Sequence, residues 1–215
     1  MLQTPSQVTV VFAKRGREQR LQATRAVLAV PPRLASALEL APALSSEKRA
    51  ALAALGLESV TRVWLEADRR FWLERGESGR VETDFALGPV RDESERLPGP
   101  GGVLGVYATR AEARRLARLS EPERVARVLE QVERAQPGMR AHCVATASKC
   151  WDSEPFIRGA YAFFQPGQLE AFGEPLRRAE GRLHFCGDHT SRRPGFMHGA
   201  VASAWRVVDE ITRGA

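Results

Sequence analysis

No apolar run in the 215 residues approaches the ~18 positions a membrane-crossing helix needs, so no such helix is expected among them. Met1 to Phe12 lacks the basic start and apolar block of a secretory leader, and a cytoplasmic location is expected. Cysteine is scarce: Cys143, Cys150 and Cys186 match no metal-ligand or disulfide spacing and read as free thiols in a reducing compartment. Lysine is scarcer still for so basic a chain. Of 32 cationic residues only Lys14, Lys48 and Lys149 are lysine, and the net charge is +6. Most arginines alternate with acids, as in Arg110-Ala-Glu-Ala-Arg-Arg115, the pattern of a solvated helix face. A nucleic-acid surface would gather its cations on one face with aromatics between them, so no nucleic-acid partner is expected. No internal repeat is visible. What is present is ordinary for a folded globular chain, with 43% hydrophobic and 27% charged residues.

Alternation and punctuation predict the elements. Gln7 to Ala13 is β-rich, Lys14-Arg-Gly-Arg17 is a turn, and Glu18 to Arg25 leads into a strand over Ala26–Val30 that Pro31-Pro32 stops. Ser45 caps a helix through Leu55, with Ala51, Leu52 and Leu55 on one side and Gly56 as terminator. Ser59 to Glu66 alternates as a strand, with Arg62 and Trp64 sharing a face and Arg62 expected to pair with an acid such as Glu66. Gly76 to Gly102 reads as loops between short strands, followed by a strand at 103–108. Helices are predicted at 110–116 and 121–135, the second with a stripe of Val125, Val128, Leu129 and Val132. Further strands fall at 142–147 and 182–186. The strongest helix runs from Met197 to Arg213, its apolar stripe being Met197, Val201, Ala204, Val208 and Ile211. The fold class is mixed α/β.

Two glycine-bearing segments matter for chemistry. Gly99-Pro-Gly-Gly-Val-Leu-Gly105 has the wrong spacing for a dinucleotide loop and precedes a strand rather than a helix, so it reads as a plain turn. No G-x-G-x-x-G occurs elsewhere, and the chain cannot build a Rossmann phosphate site by itself. The run Leu183-His-Phe-Cys-Gly-Asp-His-Thr-Ser191, then Pro194-Gly-Phe-Met-His-Gly-Ala200, sets a strand end, a carboxylate and a helix start within a few residues. A helix start offers unpaired N–H groups, Gly195 and Gly199 permit close approach of a flat ligand, and Asp188 could accept bonds from sugar-like hydroxyls. The same pattern serves equally as an N-cap with two packing glycines.

These C-terminal runs resemble the signature of flavin-containing amine oxidases, the group of monoamine, polyamine and L-amino-acid oxidases. The resemblance continues upstream in Val27-Leu-Ala-Val-Pro-Pro32, in Ser59-Val-Thr-Arg-Val-Trp-Leu65 with Arg70-Phe-Trp72, and in Trp151 with Arg158-Gly-Ala-Tyr161 and Gln165-Pro-Gly167. It covers essentially the whole chain in the right order. It implies FAD, with Trp151, Gly187, Asp188, Phe196 and Met197 as cofactor-binding residues; Asp188 replaces the more usual glutamate. It implies Tyr161 and Phe196 as the aromatic pair before the flavin, and Arg62 where the family has a lysine holding a water near the reactive nitrogen. Arginine stays charged where a buried lysine can lose its proton, so slower reaction with oxygen or another electron acceptor is expected. Ala160 matches the position of a flavin-linking cysteine, so FAD would be bound noncovalently.

By the same resemblance, residues 1–54 and 154–215 would be parts of the FAD-binding domain and 55–153 part of the substrate-binding domain. The Rossmann unit of the family would lie outside this sequence, on a separate chain or a longer reading frame, and apolar surface would be left exposed. The implied reaction is oxidation of a small-molecule amine by hydride transfer to flavin, giving an imine and then an aldehyde or keto acid plus ammonia. The alternative is an oxidase-derived binding module without flavin. No metal and no membrane partner is expected.

Overall fold

The computed structural model describes Met1–Arg213. The chain divides into two compact units, Met1–Leu57 with Tyr161–Ala215, and Glu58–Ala160. Both mix helices with strands, as the expected mixed α/β class requires.

The first unit opens with β1 (Leu2–Gln3), β2 (Val8–Lys14) and β3 (Arg17–Ala23) in one antiparallel sheet. The β2–β3 hairpin closes through Arg15 and Gly16, both at positive φ (52° and 74°), the backbone that a two-residue hairpin loop demands. β4 (Ala26–Leu28) ends two residues before the predicted Val30, and Pro32 sits in the first turn of α1 (Pro32–Ala35), where its missing N–H costs nothing. Ser45 caps α2 (Ser46–Ala54) by accepting from the Lys48 N–H at 3.3 Å. Gly56 does more than stop that helix: it begins β5 (Gly56–Leu57).

The second unit holds β6 (Val60–Ala67), α3 (Phe71–Glu74), β7 (Val90–Asp92), β8 (Gly102–Thr109), α4 (Arg110–Ala117), α5 (Glu121–Ala135), α6 (Met139–His142), β9 (Cys143–Cys150) and a 3₁₀ turn at Trp151–Ser153. Its sheet is antiparallel in the order β7-β8-β6-β9. Strand alternation sends Val63, Leu65, Leu104 and Val106 to one face, where they pack with Trp72, Leu116, Val128 and Val132 into a single core. The predicted stripe of α5 is thus the buried one, and Glu123 reaches back to the Ser120 N–H at 2.9 Å to close a capping box. Arg62, Trp64 and Tyr107 lie on the other face.

The chain then returns to the first unit with β10 (Ala162–Phe163), antiparallel to β5, α7 (Gln168–Arg177), and β11 (Leu183–Phe185), parallel to β4. A 3₁₀ turn (Asp188–Thr190) leads to α8 (Met197–Arg213). Val8, Leu28, Leu52, Leu55, Leu176, Leu183 and Phe185 form the core of this unit. The apolar stripe of α8 is largely uncovered among the described residues. Gly199, Ser203 and Val207 face inward, whereas Met197 is 88% exposed and Val201, Trp205 and Val208 also stand in solvent. The cause is steric: α8 packs so closely on the preceding loop that a Cβ at Gly199 would collide with the Arg193 carbonyl oxygen. Small residues fit that face and large ones do not. No helix among the described residues is long and apolar enough to cross a membrane.

Candidate functional site

In the first unit β11 delivers the chain into Gly187, whose φ of +132° excludes other residues and whose Cβ would meet the His189 ring at 2.6 Å. Its N–H donates to Ser203 Oγ at 2.8 Å, tying the strand end to α8. Asp188 follows, and its Oδ2 accepts from the backbone N–H of Ala162 (2.8 Å) and of Gly195 (3.1 Å). The His189 Nδ1 lies 3.9 Å from Oδ1. Burial pushes the Asp188 pKa up, but the neighbouring His189 ring and the two backbone donors outweigh it and hold the carboxyl below its ordinary value. One carboxylate oxygen therefore clasps β10 to the loop that enters α8.

That clasp gathers most of the predicted residues. Tyr161 directly precedes Ala162, and its ring lies against Gly195, where an added Cβ would sit 3.4 Å from Cδ2. Phe196 comes next, 64% exposed and stacked on His198 with centroids 5.4 Å apart. Met197 opens α8; the Gly199 and Ala200 N–H groups donate to the Phe196 carbonyl at 3.0 and 3.2 Å, and those of Met197 and His198 precede them in the first turn. Gly187, Asp188, Tyr161, Phe196 and Met197 thus form one cluster in the first unit.

Arg62 and Trp151 belong to the second unit. Arg62 does not pair with Glu66; along the strand their Cα atoms lie four residue steps, ~13 Å, apart, and Glu66 is exposed. Its partner is Glu93, which follows β7: Arg62 Nη2 donates to Glu93 Oε1, and Trp64 Nε1 donates to Oε2 at 2.7 Å. Gly105 makes this possible. It sits opposite Trp64 on β8, and an added Cβ would lie 2.5 Å from Glu93 Cδ, so the acid reaches across the strand through the space a side chain would fill. The guanidinium carbon stands 5.0 Å from the Trp64 ring and 5.2 Å from the Tyr107 ring. Lys149, opposite Arg62 on β9, pairs with Glu154 at 2.5 Å and sits 5.6 Å from the Trp151 ring.

Glu93 and Lys149 escape a sequence reading of the site because both act across strands. A further residue, Lys48, was legible. It falls one turn before Ala51 and Leu52 in the α2 stripe and is fully buried, donating to the carbonyls of Arg178 (2.5 Å) and Leu176 (3.4 Å) at the end of α7. Its ammonium stands 3.5 Å from the Phe185 ring centroid. Burial, partly offset by Glu180, lowers its pKa to about 8.

Comparison with known proteins places this geometry. The family model for flavin-containing amine oxidoreductases matches residues 2–212. An L-amino-acid oxidase of Siganus canaliculatus is 30% identical over 213 residues, covering 96% of this chain and 40% of that protein. A flavin-containing amine oxidase of Danio rerio is 29% identical over 200 residues, covering 90% and 38%. Among solved structures, wild-type putrescine oxidase bound to putrescine superposes with a TM-score of 0.88 at 28% identity, covering 99% of this chain and 47% of that one. The chain spans about two-fifths of the length of these curated relatives. With the family model matched nearly end to end, a relative at 30% identity and the shared fold, the chain belongs to the flavin-containing amine oxidoreductase family.

Proposed function

We propose that the chain is the C-terminal portion of an FAD-dependent amine oxidase, its first unit contributing to cofactor binding and its second to substrate binding. The observation that carries this reading is the cluster at the head of α8. Large apolar side chains, Phe196 and Met197, stand in solvent beside Tyr161 at the start of a helix, where the Met197 and His198 N–H groups precede those of Gly199 and Ala200 that donate to the Phe196 carbonyl. A flat conjugated ring edged with carbonyl oxygens fits both features: the apolar atoms cover its plane and the N–H groups meet its edge. The phosphate end does not fit residues of this sequence, which has no G-x-G-x-x-G, and the family's dinucleotide-binding half, on this or another polypeptide, would hold it.

FAD, when bound, supplies hydride acceptance from the amine-bearing carbon, leaving an imine that water converts to an aldehyde or keto acid plus ammonia. The residues of this chain do the rest. Tyr161 and Phe196 offer apolar ring faces between which an amine can be oriented; Phe196 has no hydroxyl to donate. Gly187 and Asp188 shape the loop that leads into α8, and Trp151, in the second unit, is the aromatic that the family resemblance assigns to the cofactor. With Ala160 in place of a cysteine, the cofactor would be held noncovalently. Arg62, paired with Glu93, presents a planar guanidinium fork where the family resemblance expects a lysine, so electrons would pass slowly to oxygen and more readily to another acceptor.

A second reading, a flavin-free binding module, is favoured by one observation: Asp188 already spends Oδ2 on two backbone donors. The visible spectrum of the protein purified from its own source, with its co-eluting polypeptides identified, separates the two. A flavin band bleached by anaerobic addition of an amine or L-amino acid is expected. A protein that stays colourless with added FAD overturns the oxidase reading in favour of the module.

A further inference from the structure

Several arginines of this chain pair with acids, Arg62, Arg178 and Arg206 among them, but neither arginine of the segment Ser191-Arg-Arg-Pro194 does so among the described residues. It borders a cleft of about 450 Å³ in the first unit, between the end of α7 and one side of α8. Arg177, Arg192, Arg193 and Arg206 line it with His198, Thr190, Ser191 and Ser203, and no carboxylate contributes to the lining. The four guanidinium groups are not equivalent. Arg206 is fixed in place: it pairs with Glu210 and donates to the carbonyls of Phe185 and Arg177 (2.6 and 3.1 Å) and to Thr190 Oγ1 (3.3 Å). Its charge is largely neutralised by Glu210, so it serves as a rigid floor. Arg177 has only a long contact to Glu174, at 3.9 Å. Arg192 and Arg193 have no acidic partner among the described residues. The cleft therefore carries at least two uncompensated cations beside hydroxyl groups, on the side of α8 away from Met197, Val201 and Trp205.

A concave surface of this volume matches a small molecule rather than a polymer groove. Guanidinium forks with adjacent hydroxyls suit tetrahedral oxyanions, which accept bidentate bonds from arginine and single bonds from serine and threonine. We propose that this cleft binds a phosphoryl-bearing small anion; it adjoins the Tyr161–Phe196–Met197 cluster, since His198 of its lining stacks on Phe196, but takes its cations from Arg192 and Arg193.

Inorganic pyrophosphate titrated into the full chain, followed by calorimetry and by amide NMR, is the direct test, because it supplies two phosphoryl groups without a base or sugar. Saturable 1:1 binding is expected, with shifts concentrated at 190–206. Arg192→Gln with Arg193→Gln should weaken it at least tenfold; both side chains are exposed, so the fold is not at risk. A control of equal charge change, Arg15→Gln with Arg17→Gln on the β2–β3 hairpin, should leave binding within twofold. Equal weakening by both pairs, or shifts scattered over every basic surface, would mean that an adventitious ion is attracted by net charge only, and would overturn the site. Binding of pyrophosphate but not of a phosphate monoester would assign the site to free polyphosphate; binding of both would assign it to a phosphorylated metabolite.

Discussion

Gly105→Ala probes the Arg62–Glu93–Trp64 arrangement without touching any of its three members. The added methyl carbon would fall 2.5 Å from Glu93 Cδ and 3.0 Å from Cγ, so the acid must swing off the strand. Two interactions are then lost: the bond from Trp64 Nε1 to a charged acceptor, and the Arg62–Glu93 pair. Bonds to charged groups contribute about 1.5 kcal/mol, and a partly exposed ion pair adds up to about 1 kcal/mol. Replacing glycine by alanine in a strand returns roughly 0.5–1 kcal/mol through the unfolded chain. The net loss should be about 1–2 kcal/mol by urea denaturation. The sharper test is a cycle with Glu93→Ala. In that background the same alanine meets no obstacle and should be neutral or stabilising, giving a coupling of about 1.5–2.5 kcal/mol, the whole of the lost interactions. The Trp64 indole N–H resonance should move upfield in either single variant, as its carboxylate acceptor leaves. Additive stabilities with an unmoved indole resonance would refute the claim that Glu93 reaches Arg62 through the gap at Gly105.

Asp188→Ala leaves the Ala162 and Gly195 N–H groups without their acceptor and should cost about 2–4 kcal/mol, while Asp188→Asn, which keeps an oxygen, should cost less; urea titrations compare them. Because the folded pKa of Asp188 lies below its ordinary value of 3.8, its charge stabilises the fold above that pH and the contribution fades as pH falls through the folded value. The gap between wild type and Asp188→Asn should therefore close in acid. Lys48 acts in the same direction over a higher window: with its pKa lowered to about 8, the unfolded chain binds the extra proton between that value and 10.5, so stability rises with pH across it. Relative to Lys48→Met, the wild type should gain on the order of 3 kcal/mol from pH 7 to pH 10.5; parallel stability profiles would contradict a buried ammonium.

Local pattern made the second unit legible, since its sheet alternates cleanly and α5 shows its cap and its stripe in consecutive letters. The contiguous signature at 187–197 was legible for the same reason. Glu93 was not, because its role depends on a missing side chain in a neighbouring strand, and the charged run around it looks like any solvated loop. Lys48 could have been found: a cation in the apolar register of an amphipathic helix is either a misplaced residue or one with buried acceptors, and here the end of α7 provides them.

The uncovered face of α8 carries the most information. Helical periodicity reports that a stripe is apolar, and says nothing about what covers it. Within the described residues the helix buries its small residues and leaves Met197, Val201, Trp205 and Val208 in solvent. Covering side chains of this size contributes about 1.5–3 kcal/mol each before ordering costs, enough to support association with a second body of structure. On the proposed reading that body is the dinucleotide-binding half of the oxidase. The stripe begins at Met197, the residue that opens the helix beside Phe196, so covering it and ordering the head of α8 involve the same turn. Association and flavin affinity would then be linked: whichever binds first lowers the cost of ordering that turn for the other, and each should raise the affinity of the other by the same factor.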